Sequence, residues 1–161
     1  MKKIQKILVT TDLSSLSLAA TICAKTLAKA TRAKLCLVYV AEDPVIVGEP
    51  TIDVTYANLW PKIEEIATKN LKEFASKNLR GVPNVTVQLL QGNPYAEIIR
   101  FAQNKRFDLI VMATHGRTGL AHVLLGSVAE RVMRHSPVPV LLVKPAKMLK
   151  EIIRPRKRIR R

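Results

Sequence analysis

Five short apolar runs, spaced by segments of helical length and period, restrict what this chain can fold into more than any other feature. The runs are Lys6–Thr10, Lys34–Val40, Asn84–Leu90, Phe107–Ala113 and Val138–Val143. Each is too short for a helix and rich in the β-branched and aliphatic residues that strands favour. Lys34–Val40 is apolar almost throughout, as a strand covered on both faces must be. Between the first two runs, Ala19, Ile22, Cys23, Leu27 and Ala30 recur at helical spacing, which predicts a helix over Ser15–Ala30 with these residues inward. Leu59, Ile63, Ile66, Ala67 and Phe74 define a second helix, with Pro61 early in it, where a missing N–H costs little. Residues 41–56 hold two prolines and a glycine and read as a loop. Asn93-Pro94 is a cap followed by a first-turn proline and opens a third helix to Gln103. Gly126-Ser127 opens a fourth, to Arg134. Strict strand–helix alternation, βαβαβαβαβ, implies right-handed crossovers. The predicted fold is α/β: a single five-stranded parallel sheet with helices on both faces, Rossmann-like. Aromatic residues make up only 4%, so the core must be built from Val, Ile, Leu and Ala.

The chain length, 161 residues, suits one domain. Its charge is uneven. Residues 147–161 carry eight Lys or Arg against one acid, whereas residues 1–146, with the larger share of the chain, carry +8 of the total +15. The expected division is a domain over 1–146 and a basic tail over 147–161 with too few apolar residues to pack. No apolar run approaches the ~18 residues of a membrane span, and Thr10-Thr11-Asp12 interrupts the first one before a signal-peptide core forms. The expected location is cytoplasmic. Cys23 and Cys36 lack metal-ligand spacing and are read as buried structural thiols. His122 and His135 are read as surface residues.

Ligands in doubly wound sheets bind beyond the C-terminal ends of the strands. The richest such segment follows the fourth run, Met112-Ala-Thr-His-Gly-Arg-Thr-Gly-Leu-Ala-His-Val-Leu-Leu-Gly-Ser127. Gly116 and Gly126 are separated by nine residues, and Gly126-Ser127 begins a helix. A helix N-terminus offers N–H groups and partial positive charge to a phosphate. Ser127 adds a hydroxyl and Arg117 a planar fork. The plainer alternative is that the glycines only make turns and that Ser127-x-x-Glu130 is a capping box.

Val111-Met-Ala-Thr-His-Gly-Arg-Thr-Gly-Leu, followed by Leu-Leu-Gly126-Ser-Val-Ala-Glu-Arg-Val-Met-Arg-His-Ser-Pro-Val-Pro-Val140, resembles the C-terminal signature of the universal stress proteins. Lys6-Ile-Leu-Val-Thr-Thr-Asp12-Leu-Ser is similar to that family's opening, and the resemblance covers about residues 4–144. It implies an adenine nucleotide alpha hydrolase-like fold, ATP as ligand and a dimer. ATP-binding members carry Gly-x-x-Gly-x9-Gly-Ser/Thr. Here Gly116, Gly126 and Ser127 fill the last three places, and Ala113 stands at the first. If the backbone there needed positive φ, alanine would cost on the order of 1 kcal/mol, about tenfold in affinity or less. By the same resemblance Thr10, Thr11 and Asp12 close the first strand's side of the site, with Asp12 meeting the ribose or a Mg2+ or Mn2+ carried by the nucleotide. Val40 presents backbone groups to adenine. Met112 and Ala113 line the nucleoside, and Gly116, Arg117, Gly126, Ser127 and Val128 hold the phosphates. Asp12 as a helix cap is an alternative compatible with ligand binding.

Other nucleotide folds fit less well. A P-loop and a dinucleotide fingerprint are absent, and a phospho-receiver would need an Asp ending the third strand, where Leu89-Leu90-Gln91 stands. His115 lies near the expected phosphates, but its loop holds no carboxylate to orient it, so a packing role fits better than catalysis. The sequence reads as a stress-response ATP-binding protein rather than an enzyme, with slow hydrolysis left open. The fifth run, last in sequence and apolar, is expected at a sheet edge and would pair with its copy in a homodimer. The alternative function is a stress protein without nucleotide, acting through protein contacts or through weak nucleic-acid or anionic-surface binding by the tail.

Overall fold

The computed structural model describes residues 3–42, 51–115 and 125–145, with backbone alone for 51–58. The elements are β1 (Lys6–Thr10), α1 (Leu18–Thr31), β2 (Lys34–Ala41), α2 (Thr51–Asn78), β3 (Val85–Gln91), α3 (Pro94–Asn104), β4 (Leu109–Ala113), α4 (Ser127–His135) and β5 (Val140–Val143). All strands are parallel, in the order β3-β2-β1-β4-β5. The predicted α/β fold is therefore the observed one.

Side-chain alternation divides the interior in two. Ile7 and Val9 of β1 face α1 and α2, together with Leu35, Leu37 and Val111. Leu8 faces the other way, with Val38, Ile110 and Met112, onto Ile98 and Ala102 of α3 and Ala129 and Val132 of α4. Helix α1 sits on the sheet through Ala20, Ala24 and Ala28, all fully buried. The predicted face of α1 is corrected: Ile22 is 53% exposed, Ala30 is exposed and Cys23 half-buried. In an alanine-rich helix, small side chains let the backbone approach the strands closely, so volume and not hydrophobicity chooses the face.

The loop expected over 41–56 is also corrected, since Ala41 ends β2 and α2 is already helical at Thr51. Pro61 is consequently inside α2, where it leaves the carbonyl four residues earlier without its helical donor. Among the described side chains of α2, those of Ala67, Leu71 and Ala75 are buried, as is Leu79 just after it; Leu59, Ile63 and Ile66 remain exposed. The cause is length. At 1.5 Å per residue, the 28 residues of α2 span about 42 Å, whereas the eight of β2 span about 26 Å. The first half of α2 runs past the end of the sheet.

Strand β5 forms one edge of the sheet, as expected, and begins at Val140 rather than Val138. Pro139 stands just before it and lends its carbonyl to the Ile110 N–H at 2.9 Å. The other edge, β3, is blunted by exposed Thr86, Gln88 and Gln91. Among the described residues no helix is long and apolar enough to cross a membrane. The basic tail, 147–161, lies outside the described residues.

Candidate functional site

A cavity of ≈ 490 Å³ opens at the C-terminal ends of the strands, at the β1/β4 boundary. The chain runs outward from β1 to β2 and β3 on one side, and to β4 and β5 on the other. The two neighbouring loops therefore diverge there and leave a crevice.

The floor nearest β1 is Thr10-Thr11-Asp12. The Thr11 N–H donates to the Val38 carbonyl at 2.9 Å, the last rung before the chain turns away from the sheet. The Thr11 hydroxyl accepts from the Leu13 N–H at 2.9 Å and lies 2.8 Å from the Ser17 hydroxyl. Asp12 Oδ1 accepts from the Ser14 N–H at 3.0 Å and the Ser14 hydroxyl at 2.6 Å. This is a turn closed by the aspartate side chain. Asp12 is not the helix cap considered from sequence, because α1 starts only at Leu18, with Ser17 in the capping position. These bonds hold Leu13 at φ 64, a left-handed conformation that costs a non-glycine residue about 1–2 kcal/mol. Strained backbone of this kind gathers where a structure must aim a side chain.

Strand β2 supplies Tyr39 and Val40, and Glu42 just after it, to the neighbouring wall. In a strand, N–H and C=O of one residue point to the same side and alternate along the chain. The Val38 carbonyl faces β1, so the backbone groups of Val40 face the same side, beyond the point where β1 has turned away. They are directed into the crevice.

The β4 side brings Met112, Ala113, Thr114 and His115. Ala113 is the last residue of β4, paired with Val143, and is not among the residues with positive φ. The backbone there is extended, so its methyl carries no conformational penalty. His115 is 5% exposed, with Nδ1 3.0 Å from the Thr114 hydroxyl. His135 is exposed, as expected.

Gly126, Ser127, Val128 and Ala129 complete the cavity at the start of α4. Gly126 is the N-cap, with φ −66° and ψ 149°, a conformation open to any residue. What restricts it is space. Its N–H donates to the Thr114 carbonyl at 2.7 Å, and a Cβ at this position would lie 3.1 Å from that same oxygen. Glycine thus lets the chain close onto Thr114 without displacing it by a few tenths of an ångström, a reason that sequence reasoning, looking for a phosphate's approach, did not contain. The capping box does not form: Ser127 is one place too late, and Glu130 pairs instead with Arg134 at 2.9 Å. The hydroxyl of Ser127 and the first-turn amides of α4, which have no acceptor within their helix, stand at the cavity.

Ten of the twelve residues expected at the site line this one cavity: Thr10, Thr11 and Asp12; Val40; Met112, Ala113 and His115; Gly126, Ser127 and Val128. Gly116 and Arg117, with His122, lie outside the described residues. Ser17, Tyr39, Pro94, Ile98 and Thr114 also line it and were missed. Pro94 and Ile98 belong to α3, and only the strand order reveals that α3 borders this crevice. Among the described residues no group of three or more His, Cys, Asp or Glu side chains could hold a metal ion by itself. Asp12 and Glu42 fit the lesser demand of a Mg2+ that keeps most of its ligands from phosphate and water.

Comparison with known proteins agrees with this architecture. The family model described as "Universal stress protein family" matches residues 3–144. Universal stress protein MJ0531 of Methanocaldococcus jannaschii is 39% identical over 150 residues, covering 89% of this chain and 84% of its own. The solved structure of MJ0577, from the same organism, superposes with a TM-score of 0.73 at 31% identity, covering 89% of this chain and 97% of that one. A universal stress protein solved in complex with cAMP superposes with a TM-score of 0.64 at 27% identity, over 89% of this chain and 99% of the other. The chain belongs to the universal stress protein family.

Proposed function

We propose that this protein binds ATP in the cavity at the β1/β4 boundary and works as a nucleotide-holding switch in a homodimer. The observation that carries the reading is the convergence of three unlike surfaces on one cavity. Met112, Ile98 and Val40, which share one face of the sheet, give an apolar wall for a base. The Val40 backbone supplies the hydrogen-bonding groups that would distinguish adenine. The start of α4, with Gly126 and Ser127, offers amides and a hydroxyl to phosphates. Asp12 faces the space between, where a ribose or a nucleotide-borne Mg2+ or Mn2+ would sit. A universal stress protein 27% identical to this one has been solved with cAMP, which supports an adenine nucleotide as the ligand class.

The chain's own residues bind and orient; none of them is assigned a chemical step. His115 is buried, with Nδ1 3.0 Å from the Thr114 hydroxyl, and its loop supplies no carboxylate to orient it as a base, so its role is read as packing. Fast ATP turnover is therefore not expected of this protein. The dimer would use β5, whose four residues are all apolar and only half-buried at a sheet edge. Pairing two such edges around a two-fold axis satisfies their open backbone groups.

The test is whether nucleotide accompanies the purified protein. Heat denaturation followed by chromatography of the supernatant should release an adenine nucleotide. A nucleotide-free supernatant, from protein that also fails to take up added Mg-ATP, would overturn the reading.

A further inference from the structure

The end of the molecule opposite the cavity has a different character. There the strands begin and all four helices end, so the loops entering β3 and β2, and beyond the start of β1 the loop entering β4, lie along one end of the sheet. These loops, with the first residue of β2, carry Arg32 and Lys34, Arg80, and Lys105 and Arg106, all exposed. Exposed Lys29 joins them, its Nζ lying 3.3 Å from where a Cβ on Gly81 would be. None of the six enters an ion pair among the described residues. The acid of these loops is Asp108, and its Oδ2 is engaged by the N–H groups of Gln5 and Lys6 at 3.0 Å. Lys6 is turned inward over the Phe107 ring and onto the Lys105 carbonyl, so it is not counted with the six. Asp12, Glu42 and Glu97 belong to the cavity end.

Two of the six stand where charge is held against backbone preference. Arg32, capping α1, has φ 57, and Arg106, just past α3, has φ 53. A left-handed residue after a helix is ordinarily glycine, which adopts it without a Cβ clash. Cations do favour helix C-termini, but that effect fades beyond the last turn. It accounts for Lys29 and Arg32 better than for Lys34, Arg80 and Arg106.

We propose that this face binds the phosphate backbone of duplex nucleic acid, without reading sequence. The partner class follows from the chemistry. Six cations without an ion pair among the described residues, on a face about 20 Å wide, five strands at the usual spacing, match the dense and regular charge of a duplex. Single-strand binders stack bases on aromatic side chains. Here the one aromatic of these loops, Phe107, is buried. Apolar anchors for a membrane are also missing from these loops: Leu79 is buried and Val82 half-buried. The last described residues, Lys144 and Pro145, leave β5 at the cavity end, away from this face.

The full-length protein is titrated into a fluorescent DNA duplex of about 20 base pairs, two helical turns, and anisotropy is followed across salt. Each phosphate contact adds about −0.9 to the slope of log affinity on log salt. The variant R32G/R106G removes two charges while placing glycine where φ is positive, so folding is not threatened. Its slope should be shallower by about 1.8. K34Q/K105Q, at ordinary backbone positions, should act alike, and an unchanged melting temperature confirms that both fold. The proposal is overturned if the wild type fails to bind at about 50 mM salt. It is overturned equally if both pairs leave the slope unchanged while R160Q/R161Q in the tail reduces it. Loss of binding to phosphatidylserine vesicles in R32G/R106G, with the duplex slope unaltered, would assign the face to membranes instead.

Discussion

Replacing Gly126 by alanine isolates the contact on which closure of the site depends. The added Cβ would lie 3.1 Å from the Thr114 carbonyl oxygen and 3.7 Å from His115 Cα. The first contact is a few tenths of an ångström too short, and both partners are backbone. Relief must come from moving the start of α4 away from β4, which lengthens the 2.7 Å bond from the Gly126 N–H to Thr114. Overpacking of this kind costs about 1–3 kcal/mol. Alanine is also a poorer N-cap than glycine, by roughly 0.5 kcal/mol. Against this, alanine restricts the unfolded chain and returns about 0.4–1 kcal/mol. The clash wins, leaving a net loss of about 1–2 kcal/mol, which in a domain of this size lowers the melting temperature by roughly 2–8 °C. Thermal unfolding followed by circular dichroism reads the first effect, and calorimetry with Mg-ATP reads the accompanying loss of affinity. A variant as stable as the wild type, or more so, would refute the argument that glycine is present for closure onto Thr114.

Three further outcomes are expected. Because Ala113 is extended at the end of β4, Ala113→Gly should leave nucleotide affinity within about twofold; a rise near tenfold in calorimetry would mean that the methyl obstructs the site. Leu141→Lys and Leu142→Lys place charge on the open β5 edge, and light scattering at micromolar concentration should show a shift from dimer to monomer; a dimer unchanged by both would move the interface elsewhere. Burial pushes the Cys36 thiol above its ordinary 9.0, against the smaller opposing effects of the Thr86 hydrogen bond and Lys6. The unfolded chain then gives up this proton first, so stability should fall as pH rises through about 9, by at most about 1.4 kcal/mol per unit. Denaturant midpoints for the wild type and Cys36→Ser, compared above and below that pH, would show whether this thiol contributes.

The sheet was legible in the sequence because parallel strands buried on both faces leave uninterrupted apolar runs, and alternation with helices then forces their direction. Strand limits shifted by one or two residues where a run, such as Val138–Val140, is apolar before it is hydrogen-bonded. The helices were less legible. In α1, Ala20, Ala24 and Ala28 look featureless beside Ile22 and Leu27, yet close approach to the strands selects them. In α2, Pro61 suggested a start that the structure places eleven residues into the helix. The site residues were found because binding residues follow strand ends, whose positions a sequence exposes. Ser17, Pro94 and Ile98 were missed because their place depends on how helices lie over the sheet. Leu13 carried no signal at all, since nothing in its type betrays a left-handed backbone.

Titration of nucleotide-free wild-type protein with Mg-ATP in a calorimeter tests the central claim most directly. The account predicts saturable heat with one nucleotide per chain, abolished by replacing Asp12 and the Gly126-Ser127 pair together. No heat, from folded protein that also releases no nucleotide on denaturation, would contradict it.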